Sequence, residues 1–244
     1  METPCLSTES TEVSAAPTRR PFVFVNMAMT ADGKTASPDG RIASFGSRRD
    51  LNHLYELRAT SDAVMTGART LNSHPVTLGS GGARFVRLRQ RAGLREQALR
   101  IVVSGAGSLS PDAEIFRAEG APILLITTQA CSQAWLDQMM PQVSAVWQAA
   151  GNTMDWLPCL AWMRETWGIQ RLLCEGGAAL TGSLFQSNLV DELYLTLCPK
   201  LLGGRNSATI ADSPERTPMA EARAMTLHHI RRHKDELFLV YRRD

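Results

Sequence analysis

Two short stretches of this chain combine ionisable side chains with backbone that can approach a ligand closely. The first is Arg171 to Leu184, Arg-Leu-Leu-Cys-Glu-Gly-Gly-Ala-Ala-Leu-Thr-Gly-Ser-Leu. An apolar run, Leu172 to Cys174, stops at Glu175 and then at Gly176-Gly177, and a helix-like segment follows at once. Glycines at a strand-to-helix turn bring the backbone near a ligand with no Cβ in the way. The helix start behind them offers unpaired N–H groups and the positive end of a dipole, which suits a phosphate. Glu175 would then face whatever lies beside that phosphate. The plainer reading is a tight strand-to-helix turn with a surface Glu.

The second stretch is Pro21 to Ala36. Phe22 to Val25 is continuously apolar, as in a strand buried on both faces. It breaks into Thr30-Ala-Asp-Gly-Lys34, where Asp32-Gly33 signals a turn. An acid and a base, Asp32 and Lys34, therefore stand just beyond the end of a core strand. In open α/β sheets that is where ligands bind, although a hydrophilic turn without a chemical part has the same composition.

Three further positions carry possible chemistry. Ser47 and Asp50 make a capping-box-like helix start, after which Leu51, Leu54 and Tyr55 form an inward stripe at helical spacing. Arg58 continues that stripe, and a guanidinium on an apolar face needs a partner. That partner is either a nearby carboxylate, giving a structural ion pair, or a phosphate gripped by paired N–H donors. Thr66-Gly67 ends another strand, with Thr70 one helical turn later. Ser104-Gly105 closes a third and could touch a nucleotide ribose or its 2′-phosphate. No G-x-G-x-x-G fingerprint is present, so a nucleotide would bridge several strand ends.

The elements that must position these residues alternate along the chain. Strands are expected near 22–28, 62–66, 100–104, 122–127, 143–147 and 171–174. Helices are expected near 48–59, 67–72, 112–118, 132–140, 155–167 and 178–186. This order predicts an α/β domain with a largely parallel central sheet flanked by helices. The end differs: 192–198, 226–231 and 236–242 read as strands, the last two joined by a turn at His233–Asp235 with no helix between them, hence an antiparallel hairpin. The stretch from Ser73 to Leu99, Gly-rich and then Arg-rich, is the least readable.

At 244 residues the chain can bury a sizeable core, and no apolar stretch approaches the ~18 residues of a membrane helix. Residues 1–20, rich in Ser, Thr, Glu and Pro, read as a disordered tail and not as a secretory signal; 21–244 read as one domain. A net charge of +2 does not mark a nucleic-acid binder. Arg84, Arg87, Arg89, Arg91, Arg95 and Arg100 read as a solvated linker or helix face, with a phosphate contact as the minority reading. Cys5, Cys131, Cys159, Cys174 and Cys198 form no CxxC pair and no metal-spaced cluster, as expected of free thiols in a reducing cytoplasm.

Four segments, in order, resemble the RibD C-terminal domain family of riboflavin-biosynthesis reductases. They are Asn26-Met-Ala-Met-Thr-Ala-Asp-Gly-Lys34, Leu57-Arg-Ala-Thr-Ser-Asp-Ala-Val-Met-Thr-Gly-Ala-Arg-Thr70, Glu175-Gly-Gly-Ala-Ala-Leu180, and Leu189-Val-Asp-Glu-Leu-Tyr194 with Pro199-Lys-Leu-Leu-Gly-Gly204. The resemblance implies a dihydrofolate-reductase-like fold and NADPH-dependent reduction of a phosphoribosylamino-pyrimidine to its ribitylamino form. It implies cofactor contacts at Ala28, Thr66, Gly67, Thr70, Ser104, Gly176, Gly177, Ala178, Ala179 and Leu180, and a substrate phosphate at Arg58. Glu175 would bind substrate, and the proton relay falls to Asp32, Lys34 or Glu175, with Asp32 the first choice. A homodimer formed through the sheet region around 192–198, a stand-alone reductase without a deaminase domain, and a cytoplasmic location are also expected. The chain departs from the family at Asn72-Ser73-His74-Pro75, where relatives carry two aspartates before the proline. This leaves open a related reductase of another pterin- or pyrimidine-like substrate, or a non-catalytic nucleotide-binding homologue.

Overall fold

The computed structural model describes residues 19–36, 46–213 and 218–244. Chain order is β1 (Phe22–Thr30), α1 (Arg48–Arg58), β2 (Ala63–Gly67), α2 (Ala68–Ser73), α3 (Ala83–Arg91), β3 (Leu99–Val103), α4 (Glu114–Arg117), β4 (Ile123–Thr127), α5 (Gln133–Met139), β5 (Ala145–Gln148), α6 (Trp156–Trp167), β6 (Arg171–Cys174), α7 (Ala178–Gln186), β7 (Glu192–Cys198), β8 (Thr226–His233) and β9 (Glu236–Arg242). The strands form one sheet in the order β5-β4-β3-β2-β6-β1-β7-β9-β8. Every pair from β5 to β7 is parallel, while β9 runs antiparallel to both β7 and β8. The expected α/β class with an antiparallel C-terminal hairpin is the fold observed.

The continuous apolar runs arise because both faces of the central strands are covered. On one face Val23, Val25 and Met27 of β1 pack with Leu172 and Cys174 of β6 and with α6 and α7 through Leu160, Met163, Leu180 and Leu184. On the other, Phe24, Val64, Val102, Leu125 and Leu173 pack with Leu57 of α1 and Leu71 of α2. β6 returns between β1 and β2, so chain direction across the sheet switches there. The parallel strand ends at β2, β6 and β1 thus form the crevice in which α/β sheets bind ligands.

Three expectations need correction. The Arg-rich stretch contains a helix, α3, and two of its arginines are not solvated: Arg89 is 1% and Arg100 6% exposed. Arg89 donates to the carbonyls of Arg58, Ser61 and Arg95 at 2.5–2.7 Å, and Arg100 to those of Ala121, Ile115 and Ala118. Burial pulls both guanidinium pKa values down. Secondly, the tail expected over 1–20 lies outside the described residues up to 18, but Arg20 belongs to the fold, forking onto both oxygens of Asp191 at 2.7 Å. Thirdly, β7 is covered within its own chain. It sits between β1 and β9 with Leu193 and Leu195 in the core and Thr196 and Cys198 buried opposite, so a second subunit at 192–198 is not needed to bury these residues. The uncovered strand is the edge, β8, exposed at every residue. Among the described residues no helix is long and apolar enough to cross a membrane.

Candidate active site

The ends of β2 and β6 are laced together beyond their ladder. Glu175 N–H donates to the Met65 carbonyl at 2.9 Å, and the Gly176 carbonyl accepts from both Gly67 N–H and Thr66 Oγ1 at 3.0 Å. Gly176 has φ +82° and lies so close to β1 that a Cβ would fall 2.7 Å from Met27 Sδ. A Cβ on Gly177 would meet Thr70 Oγ1 at 3.3 Å, and one on Gly67 would lie 4.0 Å from Gly177 N. Three strand ends and Thr70 therefore converge on a surface of bare backbone. Gly177 is also the N-cap of α7, with no side chain capping that helix. Its first-turn N–H groups lack side-chain acceptors, as an anion-accepting helix start requires. A dinucleotide pyrophosphate fits this turn.

Glu175 leaves the turn toward α1 and meets Arg58. Nε and Nη2 of Arg58 donate to Oε1 and Oε2 of Glu175 at 2.5 and 2.6 Å, while Nη1 donates to the Gly79 carbonyl at 2.5 Å. The two side chains are only 8% and 10% exposed. Burial alone would lower the arginine's pKa, but the charge of Glu175 and its hydrogen bonds outweigh that and raise it. The guanidinium expected to grip a substrate phosphate is thus engaged inside the protein, in the ion pair that was its alternative reading. Asn26, on the same face of β1 as Phe24, lies opposite Tyr194 of β7 in register. Its Oδ1 is buried with no hydrogen-bond partner among the described residues. Its sequence signal, a lone polar residue ending the run Phe22–Val25, went unused.

Asp32 does something other than expected. Its carboxylate accepts from Thr30 Oγ1 at 2.6 Å and from the N–H groups of Leu202 and Gly203 at 3.1 and 2.7 Å. Thr30's hydroxyl, then the Gly203 and Leu202 amides, hold its pKa down at about 2. Such a carboxyl holds no proton near neutral pH and takes one poorly, so it is unsuited to a proton relay. It instead ties the β1 turn to the loop after β7. That loop also reaches Ala31 and Thr35 through Lys200 and Ala208, and α7 through Asp212 N–H on the Ala178 carbonyl. Lys34 is half-buried, and no carboxylate pairs with its ammonium group among the described residues.

The remaining positions sort by distance from the Gly-Gly turn. Ala28 and Thr70 are half-buried beside it, Ala178 and Leu180 are buried at the start of α7, and Ala179 is exposed. Thr66 has its hydroxyl bound to backbone, which leaves only its main chain for a ligand. Ser104 is 2% exposed, and its Oγ accepts from Ser108 N–H and Leu109 N–H. It closes its own turn and is not presented to a ribose. In the departing segment, Asn72 donates to the Ser108 carbonyl at 2.7 Å and accepts from Ser110 N–H at 2.9 Å. An ionised aspartate could not make both bonds. Asn72, His74 and Pro75 line an open cleft of about 280 Å³ with Asp112 and Glu114 opposite. Cys131, Cys159, Cys174 and Cys198 are free thiols, and burial pushes those of Cys174 and Cys198 up to about 12.

Fold and site together define an open α/β protein with a glycine-built strand-to-helix turn and an uncapped helix start at its switch point, beside an ion-paired carboxylate. Residues 21–239 match the RibD C-terminal domain, and the chain belongs to that family. It is 32% identical over 195 residues (79% of this chain, 87% of the relative) to the 2,5-diamino-6-ribosylamino-4(3H)-pyrimidinone 5′-phosphate reductase of Archaeoglobus fulgidus. It is 28% identical over 222 residues (91% and 98%) to the protein of the same name from Methanothermobacter thermautotrophicus. Among solved structures, a pyrimidine reductase-like protein from Corynebacterium diphtheriae superposes with TM-score 0.75 at 21% identity, covering 92% of this chain and 93% of that one. Acinetobacter baumannii RibD superposes with TM-score 0.72 at 21% identity; there the match covers 91% of this chain but 58% of the other.

Proposed function

We propose that this protein is an NADPH-dependent reductase of 2,5-diamino-6-ribosylamino-4(3H)-pyrimidinone 5′-phosphate, acting before deamination in riboflavin biosynthesis. The observation that carries the reading is the bare Gly176-Gly177 turn leading into the uncapped α7, one residue from the buried Glu175 carboxylate. The choice of substrate is supported by the two archaeal relatives, which match over nearly their whole lengths and bear that name. NADPH over NADH follows the family resemblance.

The nicotinamide nucleotide, when bound, supplies a hydride; the protein's part is to bind, orient and exclude water. Gly67, Thr70, Gly176 and Gly177 with the first turn of α7 hold its pyrophosphate. Glu175 accepts hydrogen bonds from substrate O–H or N–H groups, and Asn26 Oδ1 supplies a further acceptor beside it. Opening the ribosylamine ring needs a proton at the ring oxygen. Glu175 is committed to an ion pair and Asp32 is too acidic, so Lys34 is the one of the three expected groups left to hold it. A homodimer pairing through the β8–β9 end, and a reducing compartment that keeps the thiols free, complete the proposal.

The second reading, a reductase of another pyrimidine- or pterin-like compound, is favoured by the Asn72–Pro75 departure and the cleft it lines. Steady-state turnover by the purified protein of the diamino-pyrimidine and its deaminated counterpart, each with NADPH and NADH, separates the two. Oxidation of NADPH with the diamino compound is the expected result, and inactivity with both pyrimidines would overturn it.

A further inference from the structure

We infer that Arg69 is the residue that selects NADPH over NADH, by meeting the 2′-phosphate on the adenosine ribose. The inference rests on the reading above, in which the Gly176-Gly177 turn holds a dinucleotide pyrophosphate, and adds to it the group that recognises the third phosphate.

NADPH and NADH differ by that one phosphate, and a preference for the more highly charged nucleotide calls for a cation beside the ribose. The crevice is poor in cations. The turns that follow the parallel strands from β4 to β6 cover residues 66–73, 104–113, 128–132 and 175–177, and Arg69 is the one Lys or Arg in all of them. Lys34 and Lys200 lie beyond the ends of β1 and β7, on the far side of β6. Arg58 faces Glu175, the group read above as binding substrate.

The helix α2 turns Arg69 toward this space. Successive residues advance about 100° around a helix axis. Leu71 points into the core. Thr70 is turned to Gly177, where a Cβ would meet its Oγ1 at 3.3 Å. Asn72 is bonded to Ser108 and Ser110 of the turn after β3, at 2.7 and 2.9 Å. Arg69 comes opposite Leu71, between the sides taken by Thr70 and Asn72, and is exposed. It therefore stands outside the core, between the Gly176-Gly177 turn and the turn after β3. Gly67 pairs with Val103 in register, so the start of α2 lies beside that turn, whose Gly105-Ala106-Gly107 has almost no side chain to crowd a ribose.

Two further observations set Arg69 apart from an ordinary surface arginine. No hydrogen bond, ion pair or ring contact engages its guanidinium among the described residues, so its donors are open to a ligand. It also stands in the first turn of α2, a turn without acidic residues. A cation there faces the positive end of the helix dipole, so the helix gains no stability from it.

Equilibrium titrations of the full chain, followed by nucleotide fluorescence, test the assignment with NADPH and NADH on the wild type, Arg69→Ala and Arg69→Lys. The wild type binds NADPH more tightly than NADH. Arg69→Ala loses about tenfold or more for NADPH, as expected of a charge-assisted pair, and less than about twofold for NADH. Arg69→Lys, which keeps the charge but not the fork, falls between the two. Competition by adenosine 2′,5′-bisphosphate and by ADP repeats the comparison without the nicotinamide, and only the bisphosphate weakens in Arg69→Ala. Thermal unfolding of both variants stays at the wild-type midpoint, since the side chain has no partner in the fold. Equal losses for NADPH and NADH overturn the inference by putting Arg69 on the pyrophosphate. An NADPH affinity that Arg69→Ala leaves unchanged, or a wild type that binds the two nucleotides alike, overturns it too. Binding of neither nucleotide refutes the cofactor reading and the inference with it. An NADPH preference that Arg69→Ala removes supports the inference even where neither pyrimidine turns over, an outcome that refutes the proposed substrate alone.

Discussion

Gly177 and Asp32 show how single residues act here through what their surroundings leave open. A β-branched side chain at Gly177 would meet its neighbours at once. What it would lose is space, since even a Cβ stands 3.3 Å from Thr70 Oγ1 and the branches would occupy the face where the phosphate is to lie. Gly177→Val is expected to weaken NADPH binding about tenfold or more in a nucleotide-fluorescence titration, while its thermal unfolding stays close to wild type. At Asp32 the expectation runs against a catalytic role: Asp32→Asn should retain kcat at pH 7 within a few fold, and a loss of about 100-fold would restore the proton relay. The pH dependence has a defined sign. The folded pKa, about 2, lies below the ordinary value of 3.8, so the carboxylate's contribution is fully present above about pH 4 and disappears as pH falls through about 2. The melting difference between wild type and Asp32→Asn should therefore be constant from pH 5 to 8 and shrink toward zero in acid.

At the scale of elements, α1 is held at both ends. Ser47 caps its start, accepting from Arg49 N–H and Asp50 N–H, and donates its hydroxyl to Glu236 of β9 at 2.5 Å. At the other end Arg89 of α3 donates to the carbonyl of Arg58, which also accepts from the N–H and Oγ of Ser61, and to the carbonyl of Ser61 itself. This clamp sets the position of Arg58 and through it Glu175. Arg89→Met is similar in size but leaves the Ser61 carbonyl without its donor in a buried site, at a cost of about 1–3 kcal/mol. Chemical denaturation should show that loss, with NADPH affinity little changed because the Gly176-Gly177 turn is built by other elements. An unaltered denaturation midpoint would mean that water replaces the guanidinium.

For the whole molecule the open question is the C-terminal end of the sheet. β8 is an edge strand exposed along its length, with Leu227 47% and Ile230 53% exposed, and an uncovered edge of this kind invites pairing. Light scattering at micromolar concentration is expected to give the mass of two chains, and Ile230→Glu to give one. A wild-type mass of one chain would leave β8 as a solvated edge and remove the dimer from the proposal.

The apolar runs at 22–25, 123–126 and 172–174 determined the α/β class and the parallel sheet, and Gly176-Gly177 just beyond the last of them determined the turn, because strand burial and backbone freedom are local properties of residue type. Strand order, partners and exposure were not local. Arg58 and Glu175 are 117 residues apart, and only β6 threading between β1 and β2 brings them into one ion pair. Asp32 was legible as a turn residue at a strand end beside Thr30, whose hydroxyl does most to lower its pKa, but the two amides that add to this lie about 170 positions away. Arg89 and Arg100 sat in a run that reads as solvated, and became buried clamps because α3 and β3 carry them against carbonyls at the end of α1 and around α4 that pattern alone cannot see. Asn26 is a polar residue within the first strand, and the tertiary structure buries its Oδ1 with no partner among the described residues.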